Sequence, residues 1–430
     1  MNYYSLKHKA PTVSFSEAVV KGLAPDRGLY FPEKITPLDK NFFATIEGKS
    51  KLEIAYECIR QFVGNKIPPA QLKEILEDVL SFDFPVVPIS DTISTLELFH
   101  GPTMAFKDVG ARFMARCLGY FNQHNNKEVT VLVATSGDTG GAVAKGFLGV
   151  PGVNVVILYP DGKVSEIQER QLTTLGQNIK ALKVQGTFDD CQAMVKKAFL
   201  DTDITATKKL TSANSINVAR WLPQLLYFVF AYQQVKAQEK ELVFSVPSGN
   251  FGNICAGIVA YKLGLPIDHF IASVNSNDTV VRYMNSKKYE PKPSVATISN
   301  AMDVGDPSNF IRIQQLFENN FKSLKEKFSA FSYDDVATRK AIIEIYKNYV
   351  YIADPHGAVG YLGLKEFGLK SNQLGIFLET AHPIKFRPTV EEALQVTLPI
   401  PDQIKGVLDK DKKFVSITNY EDLKADLLAG

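Results

Sequence analysis

Short apolar runs separated by helical patterns constrain this chain more than any other feature. Val129–Ala134 (VTVLVA) is apolar almost throughout, as are residues 153–158 (VNVVIL), 242–246 (LVFSV), 270–274 (FIASV) and 374–378 (LGIFL). Ile179–Val184 (IKALKV) is more mixed. Runs this short, bounded by Gly, Pro or Ser, suit strands buried on both faces. Between them lie helical patterns at 165–175, 189–200 and 218–238. Alternating strand and helix predicts βαβ units, and so an α/β chain with two open, mostly parallel sheets flanked by helices. Residues 1–90 read differently, as an N-terminal helical domain or extension with helices near 52–63 and 69–80. At 430 residues the chain exceeds one ordinary core. The pattern divides it into an N-terminal domain (1–90), a large α/β domain (91–127 with 240–430) and a smaller α/β domain (128–239) that closes a cleft.

Composition removes several function classes. Lys plus Arg number 48 against 46 for Asp plus Glu, with no long block of one sign, which argues against a nucleic-acid surface. Cys58, Cys117, Cys191 and Cys255 are far apart, so neither a zinc site nor a disulfide framework is expected; they read as buried free thiols in a reducing compartment. The start, MNYYSLKHKAPTVSF, has no apolar signal core, and no run approaches membrane-spanning length. A cytoplasmic protein without membrane attachment is the expectation.

Two strands end in the same kind of turn. After Val129–Ala134 comes Thr135-Ser136-Gly137-Asp138-Thr139-Gly140, and after 242–246 comes Pro247-Ser248-Gly249-Asn250-Phe251-Gly252-Asn253. A glycine turn before a helix exposes unpartnered N–H groups at the positive end of the dipole, which suits an anion. The second loop carries no charge and is the better phosphate seat. In the first, the Asp138 carboxylate would repel a dianion, so its N–H groups suit a singly charged carboxylate, with Asp138 turned aside. Either loop alone reads equally well as a plain strand-to-helix turn. Neither matches G-x-G-x-x-G, and Gly48-Lys49-Ser50 lacks the upstream glycine of a P-loop, so nicotinamide and ATP chemistry are poorly supported.

The segment His100-Gly101-Pro102-Thr103-Met104-Ala105-Phe106-Lys107-Asp108 places a lysine in the first turn of a helix, the unfavourable end for a cation. Taken alone, it reads as a lysine paired locally with Asp108. The stretch from Leu98 to Asp108, however, closely resembles the cofactor-lysine segment of threonine synthases. Asp26-Arg27-Gly28-Leu29-Tyr30-Phe31-Pro32, residues 135–140, 212–220 (SANSINVAR), 249–253 (GNFGN) and Glu379-Thr380-Ala381-His382-Pro383 resemble that family's motifs in its order. Tyr4-Ser5-Leu6-Lys7 departs from it, since many relatives carry Tyr-x-Ser-Thr-Arg there.

The resemblance implies a type II pyridoxal-phosphate fold. It also implies conversion of O-phospho-L-homoserine and water to L-threonine and phosphate by β,γ-elimination and replacement, the last step of threonine biosynthesis. Lys107 would hold pyridoxal 5′-phosphate as an imine. Gly249, Asn250, Phe251, Gly252 and Asn253 would bind its phosphate, and Thr380 would lie near the pyridine nitrogen. Substrate contacts are expected from Thr135, Ser136, Asp138 and Thr139, and from Asn214, Ser215, Asn217 and Arg220. These last four lead into a helix and are dense in donors for a second phosphate. Arg112 and Lys163 are further candidate cations. His100 and His382 read as histidines hydrogen-bonded in place. No metal site is expected, and the working form is a monomer or homodimer acting on a small molecule. The competing readings are a threonine dehydratase or cysteine synthase type enzyme, and a catalytically inactive relative that binds a phosphorylated ligand.

Overall fold

The computed structural model describes residues 1–123 and 128–429. It groups into two compact units. One comprises Met1–Pro32, Lys107–Arg220 and Ile400–Gly430, and the other Glu33–Phe106 and Trp221–Pro399. Each unit gathers pieces distant in sequence around one larger sheet.

The first unit holds a five-stranded sheet in the order Val415–Ile417, Ile179–Val184, Val153–Pro160, Val129–Ala134, Lys209–Ser212, with every pairing parallel. Leu132, Leu158 and Leu182 of the sheet pack in one apolar cluster with Leu423 and Leu427 of the last helix, Tyr420–Ala429. The N-terminal stretch is not all helical. Asn2–Ser5, Val13–Ser14 and Tyr30–Pro32 form a small antiparallel sheet. The helix Phe15–Lys21 is started by a capping box in which Ser14 and Glu17 satisfy each other's backbone N–H.

The second unit holds a six-stranded sheet in the order Phe328–Ser332, His269–Val274, Glu241–Pro247, Gln373–Glu379, Ile93–Glu97, Val86–Pro88. All neighbours are parallel except the last pair. The central strands are buried on both faces, as their unbroken apolar runs require. The helices Lys51–Val63 and Pro69–Val79 match the two expected near the N-terminus. The single helix expected over 218–238 is broken. Val218–Trp221 passes into a 3-10 turn at Leu222–Gln224, then the helix Leu225–Val235 and a second 3-10 turn. Pro223 is the cause, because it has no N–H for the ladder and its ring crowds the preceding turn.

Candidate active site

Parallel strands deliver their following loops to one edge of a sheet. In the second unit, three adjacent strands end together. Ile93–Glu97 leads to the lysine segment, Gln373–Glu379 to Thr380, and Glu241–Pro247 to the neutral glycine loop. Open α/β sheets take their ligands at this carboxyl edge.

The segment before Lys107 is tied to the Thr380 strand. Leu98 N–H donates to Glu379 O at 3.0 Å, Phe106 N–H to Thr380 O at 2.9 Å, and His382 N–H to Met104 O at 3.1 Å. Ala105 and Ala381 form an antiparallel bridge. Tyr227 Oη donates to Phe106 O, and Lys385 Nζ, fully buried, to Thr103 O at 2.9 Å. Met104 adopts φ 57°, a left-handed backbone that is uncommon for a methionine, and is buried. The residue immediately before Lys107 is thus fixed on both its N–H and its carbonyl.

The neutral loop is shaped for an anion. Phe251, at φ 61°, caps the 11-residue helix Gly252–Lys262 with no side-chain hydrogen bond. Its buried ring meets Phe310 edge-on at 5.9 Å, which offsets the left-handed backbone. Of the first helical N–H groups, Cys255 bonds Phe251 O and Ile254 bonds Asn253 Oδ1. The N–H groups of Gly252 and Asn253 have no acceptor within the helix. Asn253 Oδ1 also accepts from Ser248 Oγ at 3.0 Å, and Asn253 Nδ2 donates to Pro247 O at 2.8 Å. A Cβ at Gly249 would stand 2.7 Å from Met302 Cα, so glycine is required there for close packing. An uncharged, glycine-lined helix start of this kind fits the phosphate of pyridoxal phosphate.

Behind Thr380 lies a polar cluster that sequence reading missed. Asp354 caps the helix Pro355–Phe367, and its Oδ1 accepts from His356 N–H and from His356 Nδ1, each at 2.6 Å. His356 Nε2 accepts from Ala301 N–H at 3.2 Å, which leaves Nδ1 as the donor to Asp354. Asp354 Oδ2 accepts from Ala381 N–H at 3.3 Å, and Asp354 N–H donates to Glu379 Oε1. Burial, and then the neighbouring Asp354, push the Glu379 carboxyl well above its ordinary value. A charged residue closing an apolar strand (LGIFLE), opposite an Asp-Pro-His turn, was the available signal.

In the first unit the charged glycine loop and residues 212–220 also meet at a carboxyl edge, since Val129–Ala134 and Lys209–Ser212 are paired. Asn214 Nδ2 donates to Ala134 O at 3.0 Å. Asp138 accepts from the buried Gln168 Nε2 at 3.0 Å. Thr135 Oγ1 accepts from Gly137 N–H at 3.0 Å and Gly140 N–H at 2.8 Å. Asn217 is fully buried, with Nδ2 donating to Val19 O and Ser212 O and Oδ1 accepting from Ala219 N–H. Ser136, Thr139, Asn214 and Ser215 remain partly exposed. Arg220 is 3% exposed. Gly110, in the first turn after Lys107, lies against Arg220 O, where a Cβ would come within 2.2 Å. Lys107 itself is half-buried and opens the helix Lys107–Asn122. Lys163 lies on the exposed surface.

The two histidines have local partners. His100 Nε2 pairs with Glu97 at 2.7 Å, and His382 Nδ1 accepts from Ile384 N–H at 3.1 Å. Burial lowers His382 to about 4. All four cysteines are free and buried. Among the described residues, no helix is long and apolar enough to cross a membrane, and no group of three or more His, Cys, Asp or Glu side chains is placed to hold a metal ion.

Comparison with known proteins decides what this scaffold belongs to. Residues 95–375 match the family described as Pyridoxal-phosphate dependent enzyme, residues 2–80 match Threonine synthase N terminus, and residues 357–426 match Threonine synthase, C-terminal. A threonine synthase of Buchnera aphidicola is 45% identical over 409 residues, 94% of each chain. The chain belongs to the threonine synthase family. The threonine synthase structure from Escherichia coli superposes with a TM-score of 0.94 at 40% identity, covering 100% of both chains. The pyridoxal-phosphate-bound threonine synthase of Brucella melitensis gives 0.92 at 33% identity, covering 99% of this chain and 98% of that one. As a threonine synthase it is a pyridoxal-phosphate-dependent lyase of type II fold, and pyridoxal phosphate is its cofactor.

Proposed function

We propose that this threonine synthase converts O-phospho-L-homoserine and water to L-threonine and phosphate, with Lys107 as the residue that holds the cofactor and moves protons. The observation that carries the reading is the bonding of Phe106 N–H to Thr380 O, which fixes the chain one residue before Lys107 beside the Glu379-Thr380-Ala381 turn. Bound pyridoxal phosphate supplies an electron sink for charge developing on the substrate carbons.

Every other role falls to the chain. The N–H groups of the Gly249-Asn250-Phe251-Gly252-Asn253 loop hold the cofactor phosphate. Thr380 offers the pyridine nitrogen a neutral hydroxyl, which does not force protonation as a carboxylate would. The Lys107 amine would take the proton from Cα, give it up to the electron-sink system, and so be neutral again to take one from Cβ; it would then return protons to Cγ and Cα as water adds at Cβ. Phosphate leaves from Cγ between these steps. Its second pKa lies near neutral, so the departing group also helps deprotonate the water.

Ser136 and Thr139 offer donors to the substrate carboxylate, with Thr135 and Asp138 shaping that loop. Asn214, Ser215 and Arg220 receive the substrate phosphate, with Asn217 bracing their turn. The reading takes the protein to be cytoplasmic, active as a monomer or homodimer, and free of nucleic acid and membrane.

The test is release of inorganic phosphate and threonine from O-phosphohomoserine by the wild type and Lys107→Ala. Wild-type release with loss of both products in the variant supports the reading. A variant that retains near-normal activity ends it. Turnover of threonine or O-acetylserine in preference to O-phosphohomoserine would instead select the dehydratase or cysteine synthase type.

A further inference from the structure

The chain that packs on the neutral glycine loop contains a buried cation. Ser308 N–H donates to Asn250 Oδ1 at 2.6 Å. Asn309 donates twice to Asn250 O, from its backbone N–H at 3.3 Å and from Nδ2 at 2.9 Å. Arg312, in the helix Phe310–Leu316, is fully buried and donates through Nη1 to Asn309 Oδ1. Its guanidinium carbon stands 4.9 Å from the Trp221 ring centre. Its charge also reaches Cys255, in the first turn of the Gly252–Lys262 helix. Burial raises that thiol to about 12, and Arg312 acts in the opposite direction.

Taking a guanidinium out of water is costly. Here it is also set near the positive end of a helix dipole, where a second positive charge is disfavoured. An anion at the helix start is attracted by both. We propose that Arg312 is a positioning residue for the cofactor phosphate: through Asn309 it fixes the Asn250 carbonyl and hence the loop, and it adds buried positive charge beside the helix start. This rests on the assignment of the cofactor phosphate to residues 249–253.

The test titrates the full-length apoprotein with pyridoxal phosphate and with pyridoxal, which lacks the phosphate. The ratio of the two dissociation constants is the readout, because a merely structural defect weakens both ligands alike. Arg312→Met is expected to weaken pyridoxal phosphate by roughly tenfold or more while pyridoxal changes by less than about threefold. Arg312→Lys, which keeps the charge, should restore most of the difference. Asn309→Ala cuts the link to Asn250 without removing the charge and should shift the ratio in the same direction. It decides the matter if Arg312→Met does not fold.

A wild-type ratio in Arg312→Met, or in Asn309→Ala where the first variant fails to fold, overturns the proposal. Asn253→Asp separates the two levels, since it puts a carboxylate into the loop. If only Asn253→Asp lowers phosphate selectivity, the Arg312 inference fails alone. If neither variant does, the loop is not the phosphate seat and both fail.

Discussion

Adding a single methyl group at Gly249 tests whether the neutral loop is the cofactor seat. A Cβ there would lie 2.7 Å from Met302 Cα and 2.9 Å from Ala301 O, both backbone atoms, whereas ordinary contact begins at 3.4 Å. The overlap is therefore about 0.7 Å, and neither neighbour can rotate away as a side chain would. Gly249 is not among the positive-φ residues, so alanine costs nothing in backbone conformation and the effect is steric. Overpacking of this kind costs on the order of 1–3 kcal/mol. If the loop moves to relieve it, affinity for pyridoxal phosphate falls by roughly 5- to 150-fold, at tenfold per 1.4 kcal/mol. Absorbance titration of the apoprotein measures this, with thermal melting of apo and loaded forms beside it. The gap between the two melting temperatures should shrink in Gly249→Ala. Gly48→Ala is the control, because nothing lies within 4 Å of its added Cβ. If Gly249→Ala binds pyridoxal phosphate as the wild type does, whether or not the protein is destabilised, the loop does not hold the phosphate.

Further predictions concern the buried groups. Glu379→Gln keeps the shape of a buried carboxyl that its surroundings disfavour as an anion and should cost less than about 1 kcal/mol in urea unfolding at pH 7, whereas Asp354→Asn sets a donor against Ala381 N–H and should cost about 1–3 kcal/mol. The reverse order would refute the assignment of the unfavourable environment to Glu379. His269, stacked on Phe367 and bonded to Ser329 Oγ, is lowered by burial from 6.5 to about 4. Its contribution to stability is present above pH 6.5 and is lost as pH falls through about 4, because the unfolded chain binds the proton first. Unfolding free energies measured at pH 7 and pH 4.5 should differ less in His269→Gln than in the wild type, by roughly 2–3 kcal/mol. Equal differences in the two proteins would refute the assignment.

Much of the fold was legible because the deciding strands are buried on both faces. Val129–Ala134 and Ile179–Val184 have the bounds their sequence suggests, and residues 242–246 extend only to Glu241–Pro247. The strands that sequence did not reveal are polar or at an edge. Ile93–Glu97 (ISTLE) interleaves serine and threonine, and its buried Thr95 makes a cross-strand bond to Phe377 O at 3.2 Å that no periodicity announces. Val415–Ile417 is three residues long and is a strand only by pairing with Ile179–Val184, far away in sequence. In the site, both glycine loops were legible because strand, glycine turn and helix form a local pattern. The Asp354, His356 and Glu379 cluster was not, because its members come from two elements 25 residues apart and each alone reads as a helix cap or a strand end. Gln168 was missed for the same reason, since its bond to Asp138 spans 30 residues.

Reduction of the pyridoxal-phosphate-loaded protein with borohydride, followed by mass analysis of its peptides, tests the role of Lys107 most directly. The account predicts a phosphopyridoxyl group on the peptide bearing Lys107 and on no other lysine. Modification of a different lysine, or none in a protein that holds its cofactor, would contradict it.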